Sequence, residues 1–350
     1  MEFMRAAVYK GTCKIEIETL PIPPCPIGGA LVRISYCGIC GGDVRSYYNG
    51  LKNGIINQVM GHEISGEIVE VSKGITRFSP GDRVALAPDI SCGECWYCKH
   101  GLVNLCLSHK MLGTNYAGGF AQYIALPADV LLHGFIEHIP DGMSLMHAAF
   151  AEPCAGVIAC QNNIGVSAGD TVVIIGDGPI GCLHYETAKA RGAQCVILVG
   201  RGKLELAKRF TPDYLISNYE PERATNDILS ITGGLGADIV ILAVPNVAAQ
   251  QQAIHMVRKR GKIVIYGGAP SGREISTLDS NQIHYNELTI TGSFSYSSTG
   301  LYDALSAISS GFIHVDKYLT RTVSLDNVVL GIEYMRKGQD LKVLIDPWKL

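Results

Sequence analysis

Four cysteines lie close together in one glycine-containing loop of the sequence. Their spacing, Cys92-x2-Cys95-x2-Cys98-x7-Cys106, allows all of the thiols to reach a single metal ion. Four thiolates complete a tetrahedral shell and leave no open coordination position, which is typical of a structural zinc site. An iron–sulfur cluster and redox-active thiols use the same residue type, and both alternatives stay open. We predict a metal site that orders this loop.

A second set of metal-ligating residue types is spread over three stretches of chain: Cys40, the pair His62-Glu63, and Glu152. A catalytic zinc needs three protein ligands and one exchangeable position, and thiolate, imidazole and carboxylate ligands suit this metal. Taken singly, each residue is explained as well by a structural role, such as a core cysteine or a helix cap. Spacing alone also leaves Cys37 and Cys154 open as ligands. The joint occurrence of these residues ahead of a nucleotide-binding pattern favours a catalytic metal site.

A glycine-rich motif follows an apolar strand and opens a segment of helical period. Its residues are Gly176, Asp177, Gly178, Pro179, Ile180 and Gly181. The first glycine permits a tight turn, the second lets the backbone approach a pyrophosphate, and the third lets the helix pack on the strand. The free N–H groups of the helix then face the phosphates. An ordinary glycine-rich turn is the alternative, but the strand and helix around the motif favour a bound nicotinamide dinucleotide.

The next strand ends without the carboxylate that usually holds the ribose hydroxyls of NAD. It runs instead into Gly200-Arg201-Gly202-Lys203. A glycine at position 200 leaves room for a 2′-phosphate, and Arg201, with Lys203 beside it, could neutralise that group. The alternative is a pair of solvated bases on a surface turn. We therefore expect NADP or NAD as cofactor, with a preference for NADP.

The pattern of apolar residues changes at about Gly169, where apolar strands begin to alternate with segments of helical period. The predicted strands cover 171–175, 194–199, 214–217, 238–244, 262–266 and 287–291. The predicted helices cover 179–190, 203–210, 223–232 and 247–260. This alternation indicates a doubly wound parallel sheet of the α/β class.

The first 150 residues instead contain short β-rich runs separated by turn signals, which indicates an antiparallel, barrel-like domain. After Gly292 we expect a helix over 300–309, a strand over 323–325, a helix ending near Gly338 and a last strand over 341–345. We expect this C-terminal segment to rejoin the first domain.

Composition narrows the classes of function. A chain of 350 residues is long enough for two domains, and its net charge of −3 attracts neither nucleic acid nor an anionic membrane by bulk charge. The N-terminus lacks the pattern of a signal peptide, and the apolar runs are strand-sized. We therefore expect a cytoplasmic protein whose partner is a small molecule, with no nucleic acid and no membrane.

Several motifs together resemble the medium-chain, zinc-containing alcohol dehydrogenase family, and within it the sorbitol and threonine dehydrogenase branch. They are Cys-Gly-Ile-Cys-Gly-Gly-Asp at 37–43, Gly-His-Glu at 61–63, the cysteine loop at 92–106, Gly-Phe-Ala-Gln-Tyr at 119–123, Ala-Glu-Pro at 151–153 and the glycine motif at 176–181. Since they cover nearly the whole chain in family order, chance explains them poorly.

The resemblance implies a GroES-like β-barrel catalytic domain over 1–155 and 293–350 and a Rossmann domain over 156–292. It implies two zinc ions per chain, one structural and one catalytic, and a homodimer or homotetramer. Cys40, His62 and Glu152 would hold the catalytic zinc, with Glu63 as an exchanging or substitute ligand, and Cys37 would not be a ligand. Asp43 is a candidate for orienting His62, or for holding the turn in which it lies.

One departure from the family concerns the proton of the alcohol. The family usually places Ser or Thr, and often His, where this chain has Gly42 and Arg45. The usual relay is therefore absent or passes through other groups, such as Glu63, Tyr47, Tyr48 or water. A binding protein without turnover is the rival class, and Gly42 is its best support.

We predict hydride transfer between the nicotinamide and a secondary alcohol. Polar residues such as Arg45, Tyr47, Tyr48 and Tyr116 favour a polyol, a sugar or an aminocyclitol. A threonine-like hydroxy acid is the second choice.

Overall fold

The computed structural model describes residues 2–349. They fall into two compact units. One contains the chain as far as Ala155 together with the segment from Tyr296 onward, and the other is Gly156–Ser295.

The strands are numbered in chain order. They are β1 (Phe3–Gly11), β2 (Lys14–Pro21), β3 (Ala30–Gly38), β4 (Gln58–Val59), β5 (Glu63–Val71), β6 (Arg83–Ile90), β7 (Lys110–Met111), β8 (Tyr123–Leu126), β9 (Gly134–His138), β10 (Thr171–Ile175), β11 (Cys195–Gly200), β12 (Tyr214–Ser217), β13 (Ala237–Leu242), β14 (Val257–Ile265), β15 (Thr289–Gly292), β16 (Leu319–Ser324) and β17 (Lys342–Asp346).

The α-helices are numbered in the same way. They are α1 (Gly41–Asn49), α2 (Trp96–Lys99), α3 (Ala128–His133), α4 (Leu145–Ala148), α5 (Ala151–Ile164), α6 (Pro179–Ala190), α7 (Leu204–Ala207), α8 (Pro221–Ile231), α9 (Val247–Ala253), α10 (Ser280–Tyr285), α11 (Gly300–Ser309) and α12 (Val328–Arg336).

A large sheet in the first unit brings distant stretches of chain together. Its strand order is β16-β17-β3-β5-β6-β7, with β8 paired to β3 and β9 paired to β6. The antiparallel register of β3 and β5 pairs Gly38 with Glu63, and β17 pairs with the same end of β3. Because Cys40 follows β3 and His62 precedes β5, this register places both residues at the same end of two neighbouring central strands.

The second unit is built on a parallel sheet of order β12-β11-β10-β13-β14-β15. This is the doubly wound order, in which a ligand binds at the carboxyl ends of the central strands, where the order reverses. Residues such as Val172, Ile197 and Val240 are completely buried. Such burial explains why these strands read as continuous apolar runs.

One helix in this unit was predicted too long. The segment 247–260 is helical only as far as Ala253, and Val257 already begins strand β14. Val257 pairs with Ala237, and this pairing makes residues 257–260 part of the parallel ladder. The charged composition of these residues alone indicates a helix.

Within residues 2–349, no helix combines the length and the apolarity needed to cross a membrane.

Candidate functional site

The structure brings Cys40, His62 and Glu63 together, and we call these residues the ligand trio. One ligand atom from each lies within 4.8 Å of the others. The side chain of His62 is 14% exposed, whereas that of Glu63 is completely buried. A thiolate, an imidazole and a carboxylate at this separation are a suitable donor set for zinc.

Helix α1 begins at the ligand trio. Cys40 is its N-cap, and the Cys40 sulfur accepts a hydrogen bond from Gly42 N at 3.4 Å. Asp43 Oδ2 accepts from Cys40 N at 2.9 Å, while Asp43 Oδ1 lies 3.5 Å from His62 Nδ1. Asp43 therefore caps the turn and faces the imidazole, so the two roles considered for it occur together.

Negatively charged groups surround the imidazole of His62. Burial opposes the charged form of His62, but Asp43 and Cys40 hold its pKa well above the usual value. The trio therefore favours a positive charge at its centre, which a divalent cation would supply in exchange for the proton.

A buried lysine neutralises the carboxylate of the trio. Lys342 Nζ donates to Glu63 Oε1 at 2.6 Å and to Glu63 Oε2 at 2.7 Å, and both side chains are almost completely buried. Lys342 also donates to the carbonyl of Ile39 at 3.3 Å. The ammonium group fixes Glu63 beside His62 and compensates its charge.

Glu152 does not join the trio in the structure. The ligand-atom groups found among the described residues include Glu63 but not Glu152. Burial raises the pKa of Glu152 to about 8, and the charges of His62, Glu63, Asp89 and Lys342 act on it as well. Its carboxyl group therefore lies in the same electrostatic environment as the trio.

Two further polar residues accompany Glu152. Asp89 is 5% exposed and Tyr296 is 3% exposed. Burial, together with the charges of Asp89 and Glu152, holds the pKa of Tyr296 well above its usual value. Hydrogen bonding with Asp89 also acts on the Tyr296 hydroxyl, so the two side chains are neighbours. We call Asp89, Glu152 and Tyr296 the polar wall.

The polar wall connects with the surface through a histidine. His109 Nε2 lies 2.7 Å from Asp89 Oδ1, and the His109 side chain is 20% exposed.

The tyrosines expected to relay a proton or bind substrate have other contacts. Tyr47 Oη donates to the Cys13 carbonyl at 2.9 Å, and the guanidinium of Arg336 lies over the ring of Tyr48. Tyr116 Oη donates to Asp129 and receives a hydrogen bond from Lys110. Arg45 is exposed.

The four cysteines of the loop converge as their spacing predicts. The sulfurs of Cys92, Cys95, Cys98 and Cys106 lie within 4.8 Å of one another. The Cys95–Cys98 and Cys92–Cys98 sulfur distances are 3.4 and 3.9 Å. A tetrahedral zinc with Zn–S bonds of about 2.3 Å requires S–S distances of about 3.8 Å.

Backbone N–H groups point at these sulfurs. Cys106 Sγ accepts from Cys92 N at 3.1 Å and from Ser108 N at 3.4 Å. Hydrogen bonds from the backbone at Leu107 and Cys98 lower the pKa of Cys95 to about 6. The backbone therefore favours the thiolate at Cys95, the metal-binding form of cysteine, whereas burial raises the pKa of Cys106 to about 11.

The glycine motif adopts the turn that its sequence predicts. Gly176 has φ of +135°, and Gly178 caps helix α6, whose first residue is Pro179. A Cβ at Gly181 would lie 1.7 Å from the carbonyl oxygen of Gly176, so only glycine fits there. Gly178, Pro179 and Ile180 are half-buried at the start of the helix.

The expected open space beside Gly200 is not there. A Cβ at Gly200 would lie 2.3 Å from Cβ and Cγ of Asp177, which belongs to the glycine motif. Arg201 is exposed on the turn that follows. The assumption that Gly200 leaves an empty volume was wrong because a side chain from a neighbouring loop fills it.

Sequence reasoning missed Lys342, Asp89, Tyr296 and Asp177. Lys342 lies in the apolar run 341–345, and Asp89 lies one residue before the end of the buried strand β6, so a single charge among buried residues was an available signal. Asp177 lies inside a motif of which only the glycines, Pro179 and Ile180 were considered. Tyr296 gave no signal, since its role depends on residues far away in sequence.

Comparisons with known proteins agree with this geometry. The alcohol dehydrogenase GroES-like domain matches residues 26–141, and the zinc-binding dehydrogenase family matches residues 179–310. Sorbitol dehydrogenase of Bacillus subtilis (strain 168) is 35% identical over 98% of this chain and 97% of its own length. D-xylulose reductase A of Aspergillus niger is 32% identical over 97% and 95%. A zinc-binding dehydrogenase of Sinorhizobium meliloti 1021, solved bound to NADP, matches with a TM-score of 0.89 and 29% identity over 99% of this chain and 100% of that one.

The two domain types define a two-domain, zinc-binding dehydrogenase. The chain belongs to the medium-chain, zinc-containing alcohol dehydrogenase family, in its sorbitol dehydrogenase-like branch, and is an NAD(P)-dependent oxidoreductase of alcohols. The expected family and fold class are confirmed.

Proposed function

We propose that this chain oxidises or forms a secondary alcohol of a polyol, sugar or aminocyclitol, with zinc and with NADP in preference to NAD. The observation that supports this most strongly is the ligand trio, which lies in one electrostatic environment with the polar wall. Residues 1–155 and 293–350 would form the catalytic domain and residues 156–292 the dinucleotide-binding domain.

Cys40 and His62 would hold the catalytic zinc, with Glu63 or Glu152 as the carboxylate ligand. The cysteine loop would hold the structural zinc. When bound, the catalytic zinc supplies Lewis-acid polarisation of an alcohol oxygen, and the nicotinamide supplies the hydride acceptor.

The residues around the trio have separate tasks. Asp43 keeps the His62 ring oriented, and Lys342 compensates the charge of Glu63. The carboxylates of the polar wall accept hydrogen bonds from substrate hydroxyls, and Tyr296 Oη donates one. A substrate with several hydroxyl groups can form more hydrogen bonds with these side chains than a plain alkyl alcohol can.

The proton of the alcohol needs a route, since Gly42 and Arg45 replace the family's usual relay. Asp89 belongs to the polar wall, and its partner His109 reaches the surface. The Asp89 Oδ1 and His109 Nε2 pair is therefore the proton route of this proposal.

Arg201 supports the cofactor preference, because an exposed guanidinium after the second strand matches the charge and shape of a 2′-phosphate. The NADP bound by the Sinorhizobium meliloti relative is in line with it. Assembly as a homodimer or homotetramer is expected as well, and light scattering of the purified protein would measure it.

The direct test is a panel of polyols, sugars, aminocyclitols and 2-hydroxy acids with NAD and NADP, monitored by absorbance of the reduced nicotinamide. The proposal expects polyols, sugars or aminocyclitols with NADP to give the largest kcat/KM. A preference for simple alkyl alcohols or 2-hydroxy acids would contradict the substrate class. Metal content of Glu63→Gln and Glu152→Gln would identify the carboxylate ligand.

A further inference from the structure

Asp177 fills the position that a side chain at Gly200 would occupy. A Cβ built on Gly200 would lie 2.3 Å from Asp177 Cβ and Cγ and 2.6 Å from Asp177 Oδ2. Gly200 is the last residue of β11, and φ there lies outside the left-handed region. Space alone, and not backbone conformation, therefore requires glycine at this strand end.

The Asp177 carboxylate holds the turn that follows β11. Asp177 Oδ2 accepts hydrogen bonds from Gly202 N at 2.8 Å and from Lys203 N at 2.5 Å. Asp177 is only 9% exposed. On the other side of the turn, the Gly200 carbonyl accepts from Asn218 N at 2.7 Å. The turn of residues 200–203 is thus fixed on both sides.

This connection reverses the usual arrangement. In dinucleotide-binding folds, a carboxylate at the end of the second strand reaches towards the ribose beside the glycine motif. Here the carboxylate belongs to Asp177 in the glycine motif, and it points towards the end of β11. The fixed turn then presents Arg201, which is exposed.

From this geometry we propose that Asp177 is a positioning residue for cofactor selection. It holds the turn of residues 200–203 in the conformation that lets Arg201 bind the 2′-phosphate of NADP. The inference rests on the proposed preference for NADP and adds the residue on which that preference depends. Two hydrogen bonds to a charged acceptor are strong enough to set the conformation of a four-residue turn.

Binding of reduced cofactors tests this without turnover. Fluorescence titration would give the Kd of NADPH and NADH for the wild type, Asp177→Ala, Arg201→Ala and the double variant. Asp177→Ala should weaken NADPH by about tenfold, the effect of roughly 1.4 kcal/mol of lost positioning, and NADH by less than about twofold. Competition by 2′,5′-ADP against 5′-AMP should show the same difference.

The double variant shows whether Asp177 acts through Arg201. In the Arg201→Ala background, removal of Asp177 should leave the ratio of NADPH to NADH affinity unchanged, since the guanidinium it positions is gone. Asp177→Asn keeps an acceptor oxygen and should retain most of the selectivity. If Asp177→Ala does not fold, Gly200→Ala, whose methyl group displaces the carboxylate, should lower NADPH affinity in the same way.

Three results would overturn the proposal. Equal weakening of NADPH and NADH by Asp177→Ala would reduce its role to packing, and tighter NADPH binding would show that the carboxylate repels the 2′-phosphate. If the wild type prefers NADPH and both the Asp177 and the Gly200 variants keep this preference, the proposed role of Asp177 is refuted but the NADP preference is not. A wild type that prefers NADH would refute the NADP preference as well.

Discussion

Individual side chains around the ligand trio compensate each other's charge. The carboxylate of Asp43 lies beside the imidazole of His62, and the ammonium group of Lys342 pairs with the carboxylate of Glu63. Burial raises the pKa of Glu152 to about 8, and the charges of His62 and Lys342 oppose that shift only in part. A divalent cation near Cys40 would supply the missing positive charge.

Gly42 can accept a larger side chain. A Cβ there would lie 3.7 Å from Cys40 Sγ and 3.8 Å from His62 Cε1, which are ordinary contacts. Gly42→Ser should therefore fold normally and place a hydroxyl beside the trio, raising kcat by about tenfold if proton transfer limits the rate. Steady-state kinetics would measure the change. Gly41→Ser is the control, because a Cβ there would meet no other element among the described residues within 4 Å, and an equal effect of both variants would contradict the prediction.

His109 is the surface end of the proposed proton route. His109→Gln should lower kcat at least tenfold with little change in cofactor affinity, because Asp89 loses its connection to solvent. Added imidazole should restore part of the rate in the variant and leave the wild type unchanged. His100→Gln, at an exposed histidine within the cysteine loop, is the control. Unchanged kcat in His109→Gln would exclude this route.

At the level of elements, the cysteine loop depends on its metal. Helix α2 and the turns around it contain few residues, and they converge on four sulfurs. Cys95→Ser should remove one zinc per chain and lower the melting temperature, since binding energy of the metal is folding energy in such loops. Cys13→Ser, at an exposed cysteine outside the group, should change neither quantity. Wild-type metal content in Cys95→Ser would contradict the structural site.

Helices α5 and α6 pack through a buried histidine. Gln161 Nε2 donates to the His184 carbonyl at 2.7 Å, and burial lowers the pKa of His184 to about 3. Below pH 6.5 the unfolded chain binds a proton at His184, whereas the folded chain does not. The contribution of His184 to the free energy of unfolding is therefore fully present above pH 6.5 and is lost as the pH falls towards 3.

This linkage predicts a change in the acid sensitivity of the protein. Between pH 7.5 and 5.0, His184→Leu should lose about 2 kcal/mol less of its free energy of unfolding than the wild type, as urea denaturation would show. His255→Gln, at an exposed histidine, should behave as the wild type. Identical pH dependence in all three proteins would contradict a neutral, buried His184.

The helices and strands predicted most accurately from the sequence are those whose ends are marked by residues within or next to the element itself. Strand 171–175 and helix 179–190 have the predicted bounds, since an apolar run, a glycine turn and Pro179 mark them. Helix 300–309 is equally well predicted. The segment 257–260 was misread because pairing with β13, and not its charged composition, decides its structure.

At the scale of the whole molecule, the candidate sites are assembled from distant parts of the chain. Strand β17, near the C-terminus, pairs with β3 and brings Lys342 to Glu63 across 279 positions. The cysteine spacing and the glycine motif are local and could be predicted from sequence. The partners of Glu63, Gly200 and Asp89 depend on sheet register and loop packing, which sequence patterns do not encode locally.

We propose that Cys40 and His62, together with a carboxylate, bind the metal at which the alcohol reacts. Metal analysis of the wild type and His62→Ala, combined with NADPH titration and polyol turnover on the same samples, tests it most directly. We expect two zinc ions per chain in the wild type and one in the variant, with cofactor affinity retained and turnover lost. A variant that keeps both ions, or keeps its turnover, would contradict the claim.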